Sequence, residues 1–479
     1  MMKDTPWDHG LRVTAEADGL VGHAGAVLLR KLADQAGLTA ALGPALARAG
    51  KSPLVDRGIA LVSMAVAIVL GATSMNDITL LAHHAPVLGP EPSDTTVRRT
   101  LELADPRTLD KIARVRAAVR AHVWSLIAAT PAGFPWLAVA GKLLAGWLVI
   151  DMDATLITAH SDKEGAAPTW KKGYGFHPLG AWLANTTESL AMLLRPGNAG
   201  SNTFADHAAV LSAAIRQIPA RMRSRLLVRI DGAGASHELI SHLLSLASRR
   251  RTVLFTCGWM ITQASDEQAI RLLPAAAWQA AVDQDGAVQE DKHVAEITHL
   301  LSRAAGWPDG LRWIVRRTKP SRRQMKNLTA YERATGWRYS IIVTNIPATG
   351  GIPGVPGSHH AQFIDVLHRE HAVVEDRVRA GKAMGLRNLP SKTWVVNCGW
   401  VLAASIAADL SAWCRLLGLY DQEDLKDAEP DTLRYRLLSL PARLVRHARA
   451  RVLKISRTWP WKQAFLTCWQ RLCALPEPA

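Results

Sequence analysis

Hydrophobic and polar positions along the chain change pattern twice. From the N-terminus to about residue 140, apolar residues recur at helical spacing. Residues 26–36 carry such a face and stop at Gly37. Ser93 and Asp94 give an N-cap signal for a helix with Arg98 and Arg99 in its first turns. After Asp105 and Pro106 the pattern continues as a helix to Ile127, with Lys111, Arg114, Arg116 and Arg120 along it. A short capped helix with early arginines suits a helix-turn-helix DNA reader, and a solvated helix face is the plain alternative. From about Leu144 the pattern turns to strands. Residues 147–150, 189–194 and 226–230 are apolar runs, the first and third ending in aspartates. Helical patterns cover 203–217 and 236–248, and 251–256 reads as a further strand. Strands alternating with helices predict an α/β sheet with a parallel component.

Residues 258–345 depart from that alternation. Polar and apolar residues mix at short spacing in 312–316 and again in 337–343, the pattern of a β-rich insertion. Residues 346–360 are rich in Pro and Gly and read as a loop back to the main body. Helices are predicted over 363–384 and 394–417. The segment 434–471 carries ten Lys and Arg and no acidic residue, with Arg443, Arg446 and Arg449 at steps of three. That spacing reads as a phosphate-facing helical stripe or a solvated helix face. The expected layout is a helical, DNA-binding N-terminal region (1–140), then a core in two parts (141–257 and 346–410) around the insertion (258–345). A basic helical C-terminal region (411–479), for dimerisation or DNA binding, completes it.

Composition narrows the partners. A chain of 479 residues has material for about two to four domains. With 48% apolar and 20% charged residues, disorder is excluded as its main state. Cys257, Cys398, Cys414, Cys468 and Cys473 are odd in number and form no CxxC pair, which argues for reduced cytoplasmic thiols rather than a disulfide scaffold. Against 41 Asp and Glu, 57 Lys and Arg leave a net charge of +16, a balance that attracts nucleic acid or an anionic membrane. Residues 58–75 are uncharged but interrupted by Gly58, Ser63, Gly71, Thr73 and Ser74, so a buried helix is the better reading than a bilayer span. The N-terminus, with Lys3, Asp4, Asp8 and His9, lacks the apolar core of a signal peptide. A soluble cytoplasmic protein without membrane contact is expected.

The candidate chemistry is acidic. In a strand Asp151 and Asp153 point to one face, and Asp231 ends another strand, at the edge where open α/β sheets form their sites. His368, His371, Glu375 and Lys382 share one face of the 363–384 helix. Three carboxylates from two strands and a helix make an oxygen-rich cage for Mg²⁺, suited to in-line phosphoryl transfer. A strand-end Asp also often just closes a turn, and Asp231-Gly232 is a good turn signal. The sequence Asp231-Gly232-Ala233-Gly234 lacks the third glycine of a dinucleotide-binding turn, which leaves the oxidoreductase reading little support.

These residues lie in segments that resemble the insertion-sequence DDE transposases, closest to the bacterial 1380 group, which is related to the 4 group. The resemblance rests on 148–157, which contains Asp153-Ala154-Thr155, on His160 to Thr169, and on Gly175-Phe176-His177-Pro178-Leu179. It continues in order through 194–203, 227–234, 437–443 and Trp459-Pro460-Trp461, and Val21 to Gly25 fits the group's opening. It covers most of the chain. It implies an RNase H-like catalytic core with a β-rich insertion before a glutamate helix. The triad falls on Asp153, Asp231 and Glu375, spaced 78 and 144 residues apart; Asp151 is the alternative first ligand.

The family also carries a Tyr–Arg–Glu–Lys signature on the glutamate helix. Glu375 and Lys382 match it, while His368 and His371 stand at the Tyr and Arg positions. The resemblance implies a bacterial, nucleoid-associated enzyme that uses two Mg²⁺ ions, with Mn²⁺ as a substitute. Such an enzyme cuts DNA at terminal inverted repeats and joins the ends to target DNA from a homodimeric synaptic complex. Candidate DNA contacts are Lys382, His368, His371 and, on the insertion, Arg316, Arg317, Arg322, Arg323 and Trp337. The two histidines motivate a second reading, a transposase-derived DNA-binding protein that no longer cuts.

Overall fold

In the computed structural model of the chain, residues 12, 14–15, 18–48, 55–159, 162–261, 263–301, 307–447 and 450–478 are described. His160, Ser161, Arg449 and residues 3–9 lie outside them.

Nine strands form one mixed sheet: Leu148–Ala154 (β1), Leu179–Leu183 (β2), Ser189–Leu193 (β3), Arg225–Asp231 (β4), Thr252–Met260 (β5), Gln279–Val282 (β6), Val288–Glu296 (β7), Arg312–Thr318 (β8) and Arg338–Thr344 (β9). Their order across the sheet is β6-β7-β8-β9-β5-β4-β1-β2-β3. Only β1–β4 and β4–β5 pair in parallel; the other neighbours are antiparallel. The strands of 258–345 therefore extend the central sheet, with β9 hydrogen-bonded directly to β5.

β1 and β4 are apolar on both faces because both faces are covered, as in parallel sheets generally. Leu148, Ile150 and Met152 belong to one hydrophobic core, whereas Val149 joins another with Leu227, Leu254, Phe363, Ile364 and Leu367. The period-two alternation of a strand thus places Asp151 and Asp153 on Val149's face of β1, and Arg229 and Asp231 on Leu227's face of β4. The helix Ala361–Arg369 covers that face and is followed by the one that carries Glu375.

The N-terminal helices are Ala26–Gln35 (α1), Leu38–Leu46 (α2), Arg57–Val69 (α3), Asp94–Leu101 (α4) and Pro106–Ala129 (α5). Side-chain caps start three of them: Asp56 Oδ1 accepts from the Ile59 N–H at 3.0 Å, Ser93 Oγ from the Thr96 N–H at 3.2 Å, and Asp105 Oδ1 from the Thr108 N–H at 2.7 Å. Helices α1, α3, α4 and α5 pack on the long helix Trp394–Gly418. That helix is long and apolar enough to cross a bilayer, with mean hydropathy 1.5, yet 78% of its most apolar window is buried within the protein. The expectation of a buried helix at 58–75 is met by α3, followed by a 3₁₀ stretch from Met75 to His84.

Arg98 and Arg99 of the short capped helix are exposed, whereas two arginines of the long helix α5 face inward. Arg120 is fully buried, donating to Glu188 at 2.7 Å, to Asp409 at 2.8 Å and to Gln217. Arg116 also reaches Asp409, at 2.8 Å, and Glu188 accepts from the indoles of Trp124 and Trp413 at 2.7 and 2.6 Å. Charges removed from water need partners, and this network ties α5 to the sheet edge and to the helix Trp394–Gly418.

Two further expectations change. The helix over 363–384 is four pieces: Ala361–Arg369, a 3₁₀ turn at Glu370–Val373, Val374–Gly381 and a π turn at Lys382–Leu386. The chain breaks off helical geometry at Met384 and Gly385, where φ of Gly385 is +89° and the Trp400 indole donates to its carbonyl at 2.7 Å. The C-terminal region is not all helical either. Ala442–His447 (β10) and Ala450–Ile455 (β11) form an antiparallel hairpin, and Leu20–Val21 pairs to its edge. Leu444 faces Leu453 and Val445 faces Val452, a period-two pattern that outweighs the step of three in the arginines.

Candidate active site

The carboxyl end of β1 carries two aspartates with different surroundings. Asp151 is buried and held in a bidentate pair by Arg229 of the neighbouring β4, at 2.7 and 2.8 Å. Arg229 also donates to the Leu367 carbonyl at 3.2 Å, and His371 Nδ1 lies 3.0 Å from Asp151 Oδ1. Arg229, a hydrogen bond from His371 and that ring's charge outweigh burial and keep the Asp151 carboxyl below its usual range. This buried pair couples β1, β4 and the glutamate-bearing segment. Asp151 is thereby engaged in structure, whereas Asp153 opens onto a cavity.

That cavity, about 760 Å³, is lined by Asp153 and Asp231 together with Trp170, His177, His207 and the loop Gly197 to Ser201. Burial first, and then the Asp231 carboxylate, push the Asp153 carboxyl up to about 6; Glu375 adds to that push, while His371 and the Ala154 N–H oppose it. Asp153 therefore senses both other carboxylates, although Glu375 is exposed. Lys382 lies close by. Burial, then Lys171 and Arg387, hold its ammonium below the usual lysine range, and Asp153 pulls the other way. A cluster of acids thus has a rim of cations.

Of the expected DNA contacts, Arg322 and Arg323 are exposed, in the turn after β8. Trp337 is partly covered, with Lys319 over its ring at 3.9 Å, and Arg317 is held between Trp278 and Trp337 at 4.3 and 4.7 Å. Arg316 is buried and paired with Asp365 at 2.7 Å, so it is withdrawn from the phosphate contacts. The two histidines are also corrected. His371 is buried against Asp151, and His368 stacks beside it, its Nδ1 3.2 Å from Thr256 Oγ1. Burial pushes the His368 imidazole down to about 3, which keeps it neutral. Nδ1 of each ring is thus engaged within the protein, by Thr256 and by Asp151.

Sequence reasoning passed over the flap beside the cavity. Strands Ile157–Thr158, Ala167–Pro168 and Tyr174–Phe176 form it, and Trp170 at its tip is 70% exposed with the Lys171 ammonium 4.9 Å from its ring. The signal was present in Trp170-Lys171-Lys172, an aromatic residue beside two cations between His160–Thr169 and Gly175–Leu179.

The residues suit a hard divalent cation in donor chemistry. All three carboxylates offer oxygen, and the repulsion that raises Asp153 is what such an ion relieves. Among the described residues no three acidic, His or Cys side chains are drawn together as a metal site.

A sequence match to the family "Transposase DDE domain group 1" spans residues 5–477. The chain belongs to that family. Among solved structures, it is similar to a piggyBac transposase in a synaptic complex with hairpin DNA, determined by cryo-EM. The TM-score is 0.40 at 9% identity, covering 87% of this chain and 80% of that one, too distant a likeness to inform the chemistry of this transposase-family chain. No curated protein matches it.

Proposed function

We propose that this family member is an active DDE transposase of the bacterial 1380 group, cutting DNA at the inverted repeats of its own element and joining the freed ends to target DNA. The reading rests on Asp153 and Asp231 lining one cavity, with the charges of Asp231 and Glu375 both adding to the rise of the Asp153 carboxyl. The strand order β3-β2-β1-β4-β5, with β1, β4 and β5 parallel and β2 antiparallel to β1, supports an RNase H-like core.

Asp153, Asp231 and Glu375 are the residues that would hold two Mg²⁺ ions, or Mn²⁺ in their place. When bound, such ions lower the pKa of an attacking water or 3′-hydroxyl and stabilise the leaving oxygen. The chain's own residues do the rest. Asp151, Arg229 and His371 fix the strand ends that present Asp153 and Asp231. Lys382, Lys171 and Arg387 neutralise phosphates next to the acids, and Arg322 and Arg323 extend the basic track. A homodimer would bring the two ends of the element together.

The second reading, a DNA-binding protein that no longer cuts, draws on His368 and His371 standing at the signature's Tyr and Arg positions with their Nδ1 atoms engaged inside the protein. Retention of all three carboxylates favours cutting. The test is nicking and strand transfer on duplexes carrying the element's ends, with Mg²⁺ or Mn²⁺. Activity in the parent and its loss in Asp231→Ala is expected; full activity in that variant sinks the assignment. A parent that binds the ends but never cuts establishes the second reading.

A further inference from the structure

The hairpin β10–β11 places like charges directly opposite one another. In the cross-strand register Arg443 faces Lys454, and Arg446 faces Arg451. Opposed like charges destabilise an antiparallel pair, and among the described residues only the two-residue strand Leu20–Val21 extends this one. No carboxylate offsets this from within the segment, since residues 432–476 contain no Asp or Glu. Among the described residues Arg443, Arg446 and Lys454 form no ion pair. Arg451 alone is engaged, donating to the Pro86 carbonyl at 3.1 Å.

Alternation sorts the hairpin into two faces. Leu444, Leu453 and Ile455 are half-buried on the inner face. The outer face carries Arg443, Lys454 and His447, all exposed, around the Val445–Val452 pair, with Val452 42% exposed. It is a basic, two-stranded, partly apolar ribbon. The major groove of duplex DNA admits a two-stranded ribbon, offers phosphates along both edges for the cations, and presents thymine methyl groups to apolar side chains. Charge complementarity therefore selects the occupant.

We infer that the β10–β11 hairpin is a DNA-binding ribbon that enters the major groove with the Arg443, Val445, His447, Val452 and Lys454 face, a contact separate from the cavity around Asp153. It rests on the reading of the chain as a DNA-cutting transposase only for the identity of its partner.

The experiment measures binding of the full-length protein to a fluorescein-labelled random-sequence duplex by anisotropy, across a series of salt concentrations. In the double variant Arg443→Gln/Lys454→Gln, affinity falls at least about tenfold at low salt. The slope of log affinity against log salt drops by about 2, because each phosphate contact releases about one counterion. The same variant melts no lower than the parent, since an opposed like-charge pair has been removed. Unchanged affinity and slope overturn the inference. If the variant melts lower, Val452→Lys decides: an added cation on the outer face tightens binding, and no change overturns the inference. Loss of a dimer by light scattering with duplex affinity intact assigns the ribbon to a second copy and overturns it too, as does tighter binding to phosphatidylserine vesicles than to duplex. A parent that binds through the ribbon but never nicks defeats the active-site reading alone.

Discussion

Replacing Asp153 by Asn should stabilise the metal-free protein while it abolishes cutting. The carboxyl moves from its ordinary value of 3.8 up to about 6, through burial, Asp231 and Glu375. An acid with a raised folded-state value holds its proton more tightly folded than unfolded, so its ionisation works against folding. The penalty is absent below about pH 4, grows as the pH rises towards 6, and is complete above that. Its ceiling is ~3 kcal/mol, and solvent at the cavity mouth screens part of it, which leaves ~1–3 kcal/mol. Asparagine avoids the charge and keeps an oxygen for the Ala154 N–H, which donates to Asp153 at 2.7 Å. At roughly 2.1 cal/mol/K per residue, unfolding 479 residues together carries ~1 kcal/mol/K. The expected gain in Tm is therefore ~1–3 °C at pH 7 in EDTA, closing to nothing near pH 4. Differential scanning calorimetry across that range measures it. Millimolar Mg²⁺ should raise the Tm of the parent and do less for the variant, because a ligand that binds only the folded state stabilises it. An Asn variant that melts at or below the parent throughout, with no change in the cation response, refutes the idea that these carboxylates repel one another.

Three other outcomes follow from buried contacts. Glu188→Ala removes one of Arg120's two buried carboxylate partners and leaves two indole donors unmet, so the urea midpoint should fall by the equivalent of ~3–5 kcal/mol. His371→Gln should slow cutting while duplex affinity stays within about twofold, since the ring serves Asp151 rather than phosphate; weakened binding at an unchanged cutting rate would restore the phosphate role. Gly258→Ala would set a Cβ 2.3 Å from His368 Nε2 and should cost ~1–3 kcal/mol in chemical denaturation, by displacing the histidine pair.

The sequence made the alternating middle of the fold legible because β1, β4 and β5 are dense apolar runs with helical patterns between them. It also placed the strands of the insertion, at 312–316 and 337–343. What it hid were contacts made at long range. Nothing local distinguishes Arg116 and Arg120, whose partners Glu188 and Asp409 lie 68 to 293 residues away, from solvated helix arginines. The same holds for His371, matched to a signature by position but turned towards a carboxylate 220 residues earlier. The helix over 363–384 looked continuous because its composition is helical; the break at Gly385 is imposed by packing against Ile68 and Trp400. In the C-terminal segment, basic residues at steps of three masked the alternation of Leu444, Val445, Val452 and Leu453 that makes a hairpin.

The two places proposed to meet DNA share one physical signature, with opposite signs. Around Asp153 carboxylates face carboxylates, and in the hairpin cations face cations. A free protein gains nothing from either arrangement, and each costs stability that the rest of the core offsets. The buried pairs behave differently: Arg120 with Glu188, Arg229 with Asp151 and Arg316 with Asp365 each meet an opposite charge and close the local electrostatics inside the protein. Sorting cations by whether an opposite charge meets them inside the protein therefore separates the buried structural pairs from the cations left at the surface. By that criterion Arg316, His371 and Asp151 leave the functional surface. Lys382, Lys171, Arg387, Arg443 and Lys454 join it, and the basic surplus divides into a part spent on folding and a part left for a polyanion.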